Sequence, residues 1–94
     1  IKESGGWAID VTDSGIIEAQ KSLARMEGML VEPASAASLA GVRKLVQEGY
    51  IDRDEEVVCV ATGHGLKDPN TIIEWYEKPL QAAANLEEVR KLIE

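Results

Sequence analysis

Val57-Val58-Cys59-Val60-Ala61-Thr62-Gly63-His64-Gly65-Leu66-Lys67-Asp68-Pro69 is the stretch on which the reading of the fold turns. Three valines and a cysteine run straight into a loop of Thr, Gly, His and Gly. A run that is apolar at odd and even positions alike suits a strand buried on both faces, as in a parallel sheet covered by helices. The pattern therefore predicts a central strand that opens, at its carboxyl end, into the Thr62–Pro69 loop. In open α/β sheets ligands bind at that end. Two glycines allow a sharp turn and a close approach of a ligand to the backbone, and Thr62 can present a hydroxyl to the crevice.

Working outward, the order of elements supports the same architecture. Trp7-Ala8-Ile9-Asp10-Val11 alternates weakly, as a strand does. Thr12 follows as an N-cap with Asp13 in the first turn, and Ile16, Ile17, Ala19, Leu23 and Met26 recur at helical spacing up to a glycine stop at Gly28. Met29-Leu30-Val31 is a short apolar run ending at Glu32-Pro33. Pro33 suits a helix start, and a helix from Ala34 to about Glu48 is predicted, with Gly49 as its stop. The first half of that helix is nearly all small residues, which suits close packing. In its second half Val42, Leu45 and Val46 face inward. Asn70 to Tyr76 reads as a short helix broken by Lys78-Pro79. Asn85 with Glu88 marks a last short amphipathic helix bearing Leu86, Val89 and Ile93. Strand, helix, strand, helix, strand implies a parallel α/β sheet with right-handed crossovers. Three strands make a sparse sheet with two open edges, so self-association is expected.

Composition narrows the function. Ninety-four residues make at most one small domain, and 45% apolar content is that of a globular chain. A net charge of −7 disfavours nucleic acid and anionic membrane surfaces. No apolar run approaches the roughly 20 residues of a membrane span. One Cys excludes an internal disulfide, and one Cys with one His argues against an all-protein zinc site, so no metal is expected. A reducing, cytoplasmic setting is the expectation. The start, Ile1-Lys2-Glu3-Ser4-Gly5-Gly6, lacks an initiator Met and reads like a helix end with a glycine stop, as if cut from something longer.

Two places carry candidate chemistry. Glu32-Pro33-Ala34-Ser35-Ala36 joins a strand to a helix start, where backbone N–H groups and the helix dipole favour an anionic group. Ser35 adds a hydroxyl and Glu32 a carboxylate. From spacing alone the same residues read more readily as an ordinary strand–turn–helix corner, with Glu32 in the first turn. Thr62-Gly63-His64-Gly65 is either a ligand loop or a tight turn with a capping Thr. His64, flanked by glycines, reads as exposed and structural more readily than as a general base. Gly63 and Gly65 form neither a dinucleotide fingerprint nor a P-loop. Cys59, inside the predicted strand, reads as inert core packing. Asp52, Asp54, Glu55 and Glu56 lack calcium-loop spacing and read as a solvated turn.

Together, Val31-Glu32-Pro33-Ala34-Ser35-Ala36-Ala37-Ser38-Leu39-Ala40-Gly41 and Val60-Ala61-Thr62-Gly63-His64-Gly65-Leu66-Lys67-Asp68-Pro69 closely resemble the C-terminal part of the threonine synthase family. The Glu-Pro-Ala element is shared more loosely with serine/threonine dehydratases, whereas Thr-Gly-His-Gly-Leu-Lys-Asp points to threonine synthases. The resemblance covers nearly the whole chain and is weakest in the last fifteen residues. It implies a fold-type II pyridoxal-phosphate enzyme that converts O-phosphohomoserine and water into threonine and phosphate. It implies that residues 1–94 are one partial domain, the C-terminal portion of a parallel-sheet, three-layer, cofactor-binding large domain with about three strands and crossover helices. A homodimer or a self-associated fragment is the expected assembly.

By motif position, the resemblance puts Thr62 opposite the cofactor's pyridine nitrogen, with Gly63 beside it and Glu32, Ala34 and Ser35 bordering the ring. The Schiff-base lysine, the Asn at the cofactor's O3′ and the glycine-rich phosphate cup of such enzymes have no counterpart here, and Lys67 does not stand in for that lysine. No catalytic residue is expected in this chain, and the isolated 94 residues are expected to be inactive. The other readings are a fragment of a related dehydratase, or a non-catalytic α/β module that binds a small anion or a partner protein.

Overall fold

A computed structural model describes residues 1–94. Helix α1 spans Asp13–Glu27 and α2 spans Pro33–Gln47. A 3₁₀ turn follows at Gly65–Lys67, then α3 at Pro69–Trp75 and α4 at Leu86–Ile93. Each helix starts where side-chain chemistry dictates. Thr12 accepts a hydrogen bond from the Gly15 N–H at 3.1 Å and caps α1. Gly28 ends α1 in the left-handed region, at φ 66°, and donates its N–H to the Leu23 carbonyl. Pro33 opens α2, where its missing N–H leaves no donor stranded. Asp68 caps α3 by accepting from the Thr71 N–H, and Asn85 caps α4 by accepting from the Glu88 N–H.

The core lies between α1 and α2. Ala19, Val31, Ala36 and Ala40 form its centre, and Val11, Ile16, Leu23 and Leu39 pack around them. The alanines bring the two helix backbones close together. Ile9 packs against Gly41, where a Cβ would meet its Cδ1 at 3.5 Å. Lys44 on α2 ties down the segment before α1 by donating to the Asp10 carbonyl at 2.9 Å and to its carboxylate at 3.0 Å. Trp7 packs on Tyr50 with ring centroids 4.4 Å apart.

The predicted parallel sheet is absent, and with it the three-layer α/β architecture. Trp7–Val11 and Val57–Val60 have no ladder partner. Met29–Val31 contributes a single antiparallel bridge, Val31 to His64. Its hydrogen bonds run from the Glu32 N–H to the Gly63 carbonyl and from the Gly65 N–H to the Leu30 carbonyl, both 3.0 Å. The physical reason is that strand-like sequence becomes a strand only where neighbouring backbone supplies donors and acceptors in register. Nothing in these residues does so for Val57–Val60. Val58 is 90% exposed and Val60 is also open to solvent. Cys59 is exposed with them, which overturns its reading as core packing.

The molecule is therefore elongated, with extents of 62 × 27 × 19 Å and a radius of gyration of 17.6 Å, against about 13 Å for a compact domain of roughly 100 residues. No helix is long and apolar enough to cross a membrane.

Candidate functional site

The two motif segments meet. The bridge at Val31 and His64 lays the start of α2 against the Thr62–Gly65 loop, so residues nearly thirty positions apart share one joint. Ser35 is its hub. It is 2% exposed, and its Oγ accepts the Gly63 N–H at 2.8 Å. The same Oγ lies 3.2 Å from the Thr62 Oγ1 and 3.4 Å from the Gly63 carbonyl. Ser38 donates its hydroxyl to the Ser35 carbonyl at 2.8 Å and steadies the first turn of α2. Thr62 is exposed, so its hydroxyl has a buried partner on one side and open space on the other.

Glu32 precedes α2 and makes no side-chain cap. Its carboxylate instead lies over Gly63 and pairs with the Lys67 ammonium at 3.4 Å. A Cβ at Gly63 would overlap that carboxylate, and a Cβ at Gly65 would overlap the Leu30 side chain. Neither glycine has a positive φ; the left-handed glycines are Gly5, Gly28 and Gly49. Gly63 and Gly65 thus serve by their missing side chains, not by a special turn as the sequence suggested.

His64 is spent locally. Its Nδ1 accepts the Leu66 N–H at 3.1 Å and caps the 3₁₀ turn, as its structural reading anticipated. Ala34 is exposed on the first turn of α2. The acidic residues Asp52, Asp54, Glu55 and Glu56 lie in an exposed turn, closed by the Asp52 N–H donating to Glu55 Oε1 at 2.9 Å.

Sequence reasoning missed Gln20. It is completely buried in α1 and donates from Nε2 to the Val31 carbonyl at 2.7 Å. Its Oε1 accepts the Tyr76 hydroxyl proton at 3.2 Å. One amide therefore links α1, the residue before Glu32, and the segment after α3. Lys21 lies over the Tyr76 ring, 5.3 Å from its centroid, and burial pushes the Tyr76 phenol above its ordinary pKa. The signal was present: Gln20 stands four residues after Ile16 and three after Ile17, on the apolar stripe.

With this geometry in view, relatives give the class. The family described as "Pyridoxal-phosphate dependent enzyme" matches residues 1–63, and the chain belongs to that family. The match takes in the Glu32–Ser35 corner and ends at Gly63. Among individual relatives, the threonine synthase of Methanosarcina acetivorans is 59% identical over 93 residues, covering 99% of this chain and 23% of that protein. The threonine synthase of Methanocaldococcus jannaschii is 53% identical over the same shares of both chains. That of Halalkalibacterium halodurans is 54% identical over 69 residues, or 73% of this chain and 20% of its own. The chain thus spans about a quarter of the length of the relatives it matches.

The family's cofactor is pyridoxal phosphate, and the joint fits the ring end of that group. A neutral hydroxyl at Thr62 is exposed and backed by a buried partner. The neighbouring position, Gly63, has no side chain. No carboxylate takes the place of the hydroxyl: that of Glu32 lies over Gly63 and pairs with Lys67.

Proposed function

We propose that this chain is the C-terminal portion of the cofactor-binding domain of a threonine synthase, which converts O-phosphohomoserine and water into threonine and phosphate. What carries the reading is the Thr62–Ser35–Gly63 joint, in which the two motifs of the resemblance come within hydrogen-bonding distance. The names of the relatives and the family match support the choice of reaction.

In this reading Thr62 gives its hydroxyl to the pyridine nitrogen, and Gly63, Glu32, Ala34 and Ser35 line or back the ring. Bound pyridoxal phosphate supplies the electron sink for carbanion chemistry. A neutral donor at the nitrogen moderates that sink, whereas a carboxylate would favour the pyridinium. Glu32, paired with Lys67 across Gly63, keeps its negative charge off the nitrogen. Lys67 belongs to the loop motif, pairs with Glu32, and does not serve as the Schiff-base lysine. The 94 residues alone hold one wall of the site and turn nothing over. O-phosphohomoserine is the substrate, the assembly is a homodimer, and the setting is cytoplasmic.

The test is Thr62→Val in the full-length enzyme. Turnover should fall about five-fold with the fold intact, the size of one lost hydrogen bond. Unchanged phosphate release would remove Thr62 from the site. Phosphate release by the isolated 94 residues with added cofactor, above that of free cofactor, would overturn the division of the site.

A further inference from the structure

The Ser35–Thr62 pair has two proton arrangements, and they present opposite faces to a ligand. Ser35 Oγ carries one proton and already accepts the Gly63 N–H at 2.8 Å. If Ser35 donates to Thr62, the Thr62 proton is left for a group outside. If Thr62 donates to Ser35, the Ser35 proton must go to the Gly63 carbonyl, and Thr62 can offer only lone pairs. The distances favour the first arrangement. Thr62 Oγ1 is the nearer acceptor, at 3.2 Å against 3.4 Å. The Gly63 carbonyl also already accepts the Glu32 N–H at 3.0 Å. Ser35 is buried, so water does not compete for its proton.

We propose that Ser35 is a positioning residue: it relays the Gly63 N–H through its own hydroxyl so that Thr62 points its proton outward and acts as a donor. The proposal rests on the reading that Thr62 meets the ring nitrogen, and it moves Ser35 from the ring's border to a place behind Thr62. The polarity runs in one direction, from Gly63 N–H to Ser35 O–H to Thr62 O–H to the acceptor. A hydroxyl fixed this way matches a lone-pair acceptor such as an unprotonated pyridine nitrogen and rejects a protonated one. Without Ser35 the Thr62 hydroxyl is free to rotate, and the Gly63 N–H loses its acceptor.

The experiment uses the full-length enzyme loaded with pyridoxal phosphate carrying ¹⁵N in the ring. The readouts are the ring-nitrogen resonance and the dissociation constant of the cofactor. Thr62→Val should move the resonance to the position of a pyridine nitrogen without a donor. Ser35→Ala should move it part of the way in the same direction and weaken cofactor binding about five-fold, as for one hydrogen bond. The double variant should match Thr62→Val alone, because the relay acts only through Thr62. Ser35→Cys, close in volume but a poor donor, should reproduce Ser35→Ala and serves if the alanine variant does not fold. A wild-type resonance in Ser35→Ala or Ser35→Cys, with Thr62→Val shifted, overturns the relay and leaves the Thr62 assignment standing. An unmoved resonance in Thr62→Val overturns that assignment and the relay together. Additive shifts in the double variant also overturn the relay.

Discussion

Helices α1 and α4 begin with the same device. A side-chain oxygen, from Thr12 or Asn85, accepts a backbone N–H three residues on. Both carry an apolar stripe, and α4 adds the ion pairs Lys91–Glu88 and Arg90–Glu94. Yet α1 buries Ile17, Ala19 and Gln20, while α4 buries nothing and leaves Leu86 and Ile93 each 73% exposed. Caps and stripes decide where a helix forms, but they do not supply the surface that covers it. A helix of eight residues is marginal by itself, and exposed ion pairs add only about 0.3–0.5 kcal/mol each. The buried side chains of this molecule come from residues 17–40, and the segments beyond are tied to them by single polar contacts rather than by buried surface.

The contrast is broken most visibly at Val57–Val60. The isolated chain should self-associate through this exposed apolar segment, and Val58→Lys with Val60→Lys should restore a monomer. Light scattering over rising concentration reads both, and a monomer in the unaltered chain would show that the segment seeks no partner. Next is the helix pair. Ala36→Leu overpacks the α1–α2 contact and should destabilise it by about 3 kcal/mol, whereas Leu at Val89 on α4 should change nothing measurable in the same urea titration.

Third, Gln20→Leu strands the Val31 carbonyl and frees Tyr76. It should cost about 2 kcal/mol and raise hydrogen exchange at Glu32 and Gly65, which flank the bridge; unchanged exchange would mean the amide does not hold the joint. The smallest effect belongs to Asp10. The hydrogen bond from Lys44, then its own backbone and the nearby ammonium charge, hold its carboxyl below the usual range. The stabilisation from this pair is therefore present above about pH 4 and disappears as pH falls through the depressed value. Asp10 is fully exposed, so the effect is weak and salt-sensitive. Carboxyl titration by NMR in Lys44→Met should move Asp10 up toward the ordinary range, with only the backbone contribution left.

The helices were legible because their signals are local. Thr12 with Gly28 and Asn85 with Glu88 mark ends through bonds made within a few residues, Gly49 donates back to Val46, and Pro33 marks a start by the donor it lacks. The strands were misread because pairing is non-local: Val57–Val60 states what would be buried if a neighbour were present, not that one is. Both segments of the joint could be picked out from motif chemistry, since a Ser near a helix start and a Thr before a glycine are local features. Their 3.2 Å approach, and the amide of Gln20 behind them, depend on how α1 and α2 settle on Val31. The reason for Gly63 was also hidden, because it lies in the side chain of a residue thirty-one positions earlier.

That last contact has an evolutionary consequence. The Glu32 carboxylate fills the space a side chain at 63 would need, so substitutions at the two positions are coupled. A lineage that admits Ala or Ser at 63 must swing the flexible Glu32 carboxylate aside or shorten residue 32, and shortening it leaves Lys67 without its counter-charge. A library randomised at 32 and 63 should show epistasis: substitutions at 63 should be less harmful beside Gly or Ala than beside Glu. One steric overlap thus links what the two positions can accept.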